Sequence, residues 1–204
     1  MSQPSPFGTT NENNQQFVPS VPIVWGWVAF LIAAVGVGGS LYLSLGLGLK
    51  ACPLCFYQRS FVMGVFAVLG VGLLADPARR GLLLLISSAL SIAGLGVAWF
   101  HVYLVTSGTL ECPDGLFGLG DAPTQSLALF ALLSAPVLIG AILGRKDTRL
   151  GAAGILLALA LGAALAYGCI QSSPPLPKPK PPAEPFDTCR PVWKGEAAKY
   201  IPAP

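Results

Sequence analysis

The sequence predicts an all-α membrane protein: a four-helix transmembrane bundle, a fifth transmembrane helix beyond it, and an extended Pro-rich outer tail. Three observations carry that prediction. Of 204 residues, 53% are hydrophobic and only 10% are charged, and the mean hydropathy is +0.67. A soluble domain cannot hide that much apolar surface. Five stretches approach the roughly 20 apolar residues that a spanning helix needs. The breaks between them are rich in charge, Gly or Pro. The net charge of +3 is small and scattered, so no nucleic-acid partner is expected.

The elements follow in chain order. Residues 1–21 form a polar N-terminal segment, and residues 1–20 hold no Lys or Arg to serve as the basic start of a cleavable signal. The uncharged run from Pro22 to Leu49 reads as an uncleaved signal anchor, with its helix over 22–46. Further spans are expected over 55–75, 82–105, 126–144 and 150–170, which makes 22–170 the membrane bundle. Tight basic turns separate the second from the third (Asp76-Pro77-Ala78-Arg79-Arg80-Gly81) and the fourth from the fifth (Gly144-Arg145-Lys146-Asp147-Thr148-Arg149). The connection from Ser107 to Pro123 is longer and acidic, with no Lys or Arg. The tail, 171–204, carries Pro174-Pro175-Leu176-Pro177-Lys178-Pro179 and is expected to be extended and poorly packed.

Orientation follows from the basic turns, which the positive-inside rule puts in the cytoplasm. The N-terminus is then cytoplasmic, and the acidic loop and the tail are outside. The tail's Lys178, Lys180, Arg190, Lys194 and Lys199 argue the other way. They weigh less, because a terminal tail constrains topology weakly once earlier helices are fixed. Under this topology all five cysteines, at 52, 55, 112, 169 and 189, fall on or beside the outer face. Disulfides persist in that compartment and not in the cytoplasm. An odd count leaves at least one thiol unpaired or paired with another protein.

Cys52-Pro53-Leu54-Cys55 at the head of the second span is the strongest chemical signal. The free N–H groups of a first helical turn favour thiolate over thiol, and Pro53 suits a helix start. Arg59 lies four residues beyond Cys55, about 6 Å along a helix axis. Its guanidinium can stabilise a thiolate or the charge on a reduced quinone oxygen. Other readings stay open: a metal site, for which two sulfurs are too few; a structural disulfide closing a very short ring; and an arginine that merely snorkels to the interface.

The run Cys52-Pro53-Leu54-Cys55-Phe56-Tyr57-Gln58-Arg59 resembles the Cys-x-x-Cys-x-Tyr-x-Arg signature of the DsbB family, membrane proteins that reoxidise DsbA-type thioredoxin-fold oxidases. The resemblance covers roughly residues 22 to 144. It implies a thiol:quinone oxidoreductase of the bacterial inner membrane, with ubiquinone or menaquinone as cofactor. It implies that Cys55 is the quinone-proximal sulfur, that Cys52 exchanges with a second pair, and that Arg59 helps hold the quinone. His101, the only histidine, sits in Trp99-Phe100-His101-Val102-Tyr103 where that family keeps a quinone-neighbouring His. The flanking aromatics read as interfacial belt or core.

The chain departs from the family at the second pair. That loop usually holds both shuttle cysteines, and here it holds Cys112 alone. Its partner must come from Cys169, at the outer end of the fifth span, or from Cys189 in the tail. The pairing Cys112–Cys189 is favoured, since both lie in outer segments able to meet a soluble partner and reach Cys52. Cys169–Cys189 and Cys112–Cys169 are the alternatives. Two other functional classes remain: a reductase resembling vitamin K epoxide reductase, and a non-enzymatic membrane protein with structural disulfides.

Overall fold

The computed structural model describes residues 21–75, 79–175 and 187–193; the expected N-terminal segment and most of the tail lie outside them. Among the described residues, five helices are long and apolar enough to cross a membrane. They are α1 (Val21–Leu41), α2 (Pro53–Ala75), α3 (Arg80–Thr106), α4 (Ala122–Leu143) and α5 (Gly151–Gln171). The chain is thus a multi-pass membrane protein. Helix α1 runs on through a π-helical turn, Tyr42–Gly46, and a 3-10 turn, Gly144–Asp147, links α4 to α5.

Helices α1 to α4 form a ring in which α1 packs on α2 and α4, and α3 packs on the same two from the opposite side. Helix α5 lies outside the ring against α3, so α3 is the most enclosed element. Val62, Val65, Leu69 and Leu73 recur at helical spacing on α2 and meet Phe130, Leu133, Val137 and Ala141 of α4 in the core. Leu31, Val35, Val71, Leu74 and Leu156 are exposed on the outside, as suits helices solvated by lipid. Lipid is as apolar as these side chains, so helix association rests on close packing. Gly94 shows it: a Cβ there would lie 2.0 Å from the Phe130 ring.

Two expectations need correcting. Helix α4 begins at Ala122, not 126, because Asp121 caps it: its Oδ1 accepts the Thr124 N–H at 2.7 Å, and Pro123 sits in the first turn. The expected loose tail is packed over residues 187–193. There Arg190–Pro191 forms strand β2 against β1, Leu110–Glu111, in antiparallel register (Leu110↔Pro191, Glu111↔Arg190). Ladder and turn bonds satisfy backbone groups that a free segment would leave to water.

Candidate redox site

The site is assembled at one end of the bundle from the head of α2, the end of α3, the loop after it, and β2. Cys52 is the residue before Pro53, the first residue of α2. Its backbone carbonyl accepts the Phe56 N–H at 2.9 Å, and its Sγ accepts the Cys55 N–H at 3.2 Å. Sulfur takes the place that a capping oxygen fills in most helices. The Cys52 and Cys55 sulfurs lie 2.9 Å apart, both as free thiols. The hydrogen bond from the Cys55 thiol, assisted by His101 and the Cys55 N–H, outweighs burial and lowers Cys52 to about 5. The thiolate expected at the helix head therefore belongs to Cys52.

His101 is fully buried on α3. Its Nε2 stands 3.9 Å from Cys52 Sγ and 3.5 Å from Cys112 Sγ. On the other side Ser126 Oγ donates to Gln58 Oε1 at 2.8 Å, and Gln58 Nε2 lies 3.3 Å from His101 Nδ1. An amide nitrogen can only donate, so Nδ1 is the acceptor and the ring proton is on Nε2, facing the sulfurs. Sequence reasoning missed Gln58 and Ser126. The available signal was an uncharged amide one residue before Arg59 in an otherwise apolar span, where a polar group needs a partner.

Arg59 is hydrogen-bonded within the protein. Its Nε donates to Ser40 Oγ at 2.9 Å, and its Nη2 donates to the Ser40 carbonyl at 3.0 Å and to Ser44 Oγ. Ser40 at the end of α1 and Ser44 in the π-helical turn that follows thus fix the guanidinium. Arg59 and Cys55 border a cavity of about 210 Å³, whose lining is chiefly apolar and includes Gly39, Leu43, Leu116 and Leu129. Trp99 and Tyr103 point outward and are exposed, as belt residues are.

Cys112 and Cys189 are joined by a disulfide. Cys189 is 2% exposed and packs in one cluster with Cys52, Leu54 and Val97. Cys169 keeps a free thiol and packs against the same cluster. The ligand atoms of Cys52, Cys55, His101 and Cys189 all lie within 4.8 Å of one another. Cys189 is committed to its disulfide and His101 presents a proton rather than a lone pair to the sulfurs. Two thiols, a disulfide sulfur and an imidazole thus stand close together at one end of the bundle.

A five-helix membrane bundle that gathers two cysteine pairs at one end defines a class of membrane thiol–disulfide protein. The family model for disulfide bond formation protein DsbB matches residues 23–128, so the chain belongs to the DsbB family. Among curated relatives, disulfide bond formation protein B of Methylococcus capsulatus is 31% identical over 105 residues, 46% of this chain and 64% of that protein. The protein of the same name from Chromohalobacter salexigens is 34% identical over 110 residues, 52% and 63% of the two chains. A Pseudomonas aeruginosa relative, disulfide bond formation protein B 1, reaches 41% over 54 residues, 26% and 33%. The chain thus spans less than two thirds of the length of each of these three relatives. No solved structure matches. The family match includes Cys52, Cys55, Arg59, His101 and Cys112, and stops before α5, Cys169 and Cys189.

Proposed function

We propose that the chain is a thiol:quinone oxidoreductase. It would take electrons from a DsbA-like thioredoxin-fold oxidase outside the bacterial inner membrane and pass them to the membrane's quinone pool, so that exported proteins acquire disulfides. The observation that carries this reading is the convergence of the Cys112–Cys189 disulfide, the Cys52/Cys55 pair and His101, with Cys55 bordering the cavity that holds Arg59.

The chain's own residues perform disulfide exchange. A partner thiolate attacks Cys112, the more accessible of the outer sulfurs; the Cys112–Cys189 bond breaks and Cys189 leaves as a thiolate. Cys189 attacks Cys52 of an oxidised Cys52–Cys55 bond, and Cys55 leaves as a thiolate. The partner's second thiolate attacks its own sulfur in the mixed disulfide, which releases Cys112. Cys112 attacks Cys189, remakes the outer disulfide and frees Cys52, whose negative charge Nε2–H of His101 steadies. Two electrons have moved from the partner dithiol to the inner pair.

The cavity suits a quinone ring: its size fits a single-ring head group, its walls are apolar, and Arg59 offers a fixed donor. A quinone bound there supplies the two-electron acceptor. Gly39, Leu43 and Leu129 would hold the ring and exclude water, and Arg59 would hold its oxygen.

The test is direct. Purified protein mixed with a reduced thioredoxin-fold oxidase and a soluble quinone is expected to consume quinone, followed by absorbance, and Cys55→Ser is expected to abolish it. A folded protein that gives no turnover with several quinones and partners would overturn the proposal.

A further inference from the structure

The tail segment that carries Cys189 is held by more than its disulfide. The Lys50 N–H donates to the Asp187 carbonyl at 2.7 Å, and the Lys50 ammonium lies 2.8 Å from Asp187 Oδ2. Arg190 Nε donates to Glu111 Oε1 across the β1–β2 pair, with the Arg190 side chain only 7% exposed. The Val192 N–H donates to the Thr109 carbonyl at 3.2 Å. These contacts bracket Cys189 on both sides, and the Glu111–Arg190 pair directly adjoins Cys112 and Cys189. The exposed Lys50–Asp187 ion pair contributes little. The enclosed Glu111–Arg190 pair and the backbone bonds contribute more.

We propose that Glu111 and Arg190, with the β1–β2 pair they flank, form a non-covalent clasp that keeps Cys189 against Cys52 while the outer disulfide is open. The inference rests on the exchange reading above and assigns two positioning residues within it. Exchange at the outer pair necessarily breaks the bond that ties the tail to the loop. With no contact but its chain connection to α5, Cys189 would then be held near Cys52 at a lower effective concentration. The clasp is made of ion pair and ladder bonds, which thiol chemistry does not touch. It keeps the Cys189 sulfur within 4.8 Å of Cys52 and His101, near the approach that exchange requires. The family match ends before the tail, so the clasp is what allows a cysteine beyond a fifth helix to serve a loop that holds one cysteine only.

The test needs neither quinone nor partner. Full-length chain carrying Cys55→Ser and Cys112→Ser is equilibrated in glutathione buffers, free thiols are blocked, and the Cys52–Cys189 bond is quantified by non-reducing peptide mapping. In this background Cys52–Cys189 is expected to dominate. Glu111→Gln and Arg190→Gln are each expected to lower its equilibrium constant against glutathione by about tenfold or more, and the reversed pair Glu111→Arg/Arg190→Glu to recover most of the loss. Melting temperatures in detergent separate this from unfolding. If either single variant fails to fold, the reversed pair against its half-reversed parent Glu111→Arg decides. An unchanged equilibrium constant in folded variants, or Cys52 pairing with Cys169 instead, would overturn the clasp. If the proposed function failed and the clasp were real, turnover would be absent while this equilibrium behaved as stated.

Discussion

At the scale of single residues the site is a contest over one proton. Cys52 stands at about 5 because the Cys55 thiol, first, and His101, after it, hydrogen-bond to its sulfur against the cost of burial. An unperturbed thiol has the reference value 9.0. The folded value is depressed, so ionisation of Cys52 stabilises the reduced fold fully above pH 9, and the contribution is lost as pH falls through about 5. The reduced protein should therefore show a thiolate absorbance step near pH 5 that Cys52→Ser removes. Cys55→Ala should move the step upward further than His101→Phe does; the reverse order would refute the account. Arg59 poses a different question, because its fork spans Ser40 and Ser44. Under the proposed function, Arg59→Met should raise the KM for quinone about tenfold, the scale of one charge-assisted hydrogen bond. Arg59→Lys should fall between, since a point charge cannot hold both serines in one plane. Equal KM values across the three proteins would remove Arg59 from the cavity's function.

At the scale of elements, the helices were legible and their arrangement was not. Runs of apolar residues between basic turns locate spans, because lipid demands length and an internally satisfied backbone. Nothing in a uniformly apolar run says which helix is central. The clue lay in α3, where Ser87, Ser88 and Ser91 are all buried; hydroxyls in a span face protein rather than lipid. The start of α4 was missed for a local reason, the Asp121 cap. Helix α5 reaches α3 through Gly162, where a Cβ would meet the Ala89 carbonyl at 2.7 Å and Ile92 at 2.9 Å. Backbone cannot step aside as a side chain can. Gly162→Leu should push α5 off α3 and cost roughly 1–3 kcal/mol, in the range of overpacked cores, read as a lower melting temperature in detergent. Gly168→Ala, with open space at its Cβ, should leave melting near wild type. If both variants melted alike, α5 would not depend on that approach.

At the scale of the molecule, the chain continues past the family match, which ends within α4, through α5 to a tail segment that packs on the cysteine cluster. The placement of Cys52, Cys55 and Arg59 at the head of α2 was legible because their spacing is local. The outer pair was legible only as a preference, since a bond across 77 residues leaves no local trace. Glu111 and Gln58 take no role from the sequence alone, and Arg190 reads there only as one of several tail cations, because a charge or amide acquires meaning from the partner that folding brings to it. What the tail contributes can be isolated by ending the chain at Ser173. That truncation keeps α1 to α5, Cys52, Cys55, His101 and Arg59, and removes the partner of Cys112. The inner pair should still be reduced by a small dithiol such as dithiothreitol, so quinone consumption with that donor should stay within about twofold of the full chain. Turnover with a protein dithiol should fall by about a hundredfold or more, because the relay's intramolecular step is gone. Cys189→Ser in the full chain should show the same loss with the tail present, which assigns the effect to the sulfur. If the truncated chain oxidised the protein partner at the full rate, electrons would be entering without Cys189, through Cys112 or Cys169 alone, and the outer disulfide would be a structural bridge.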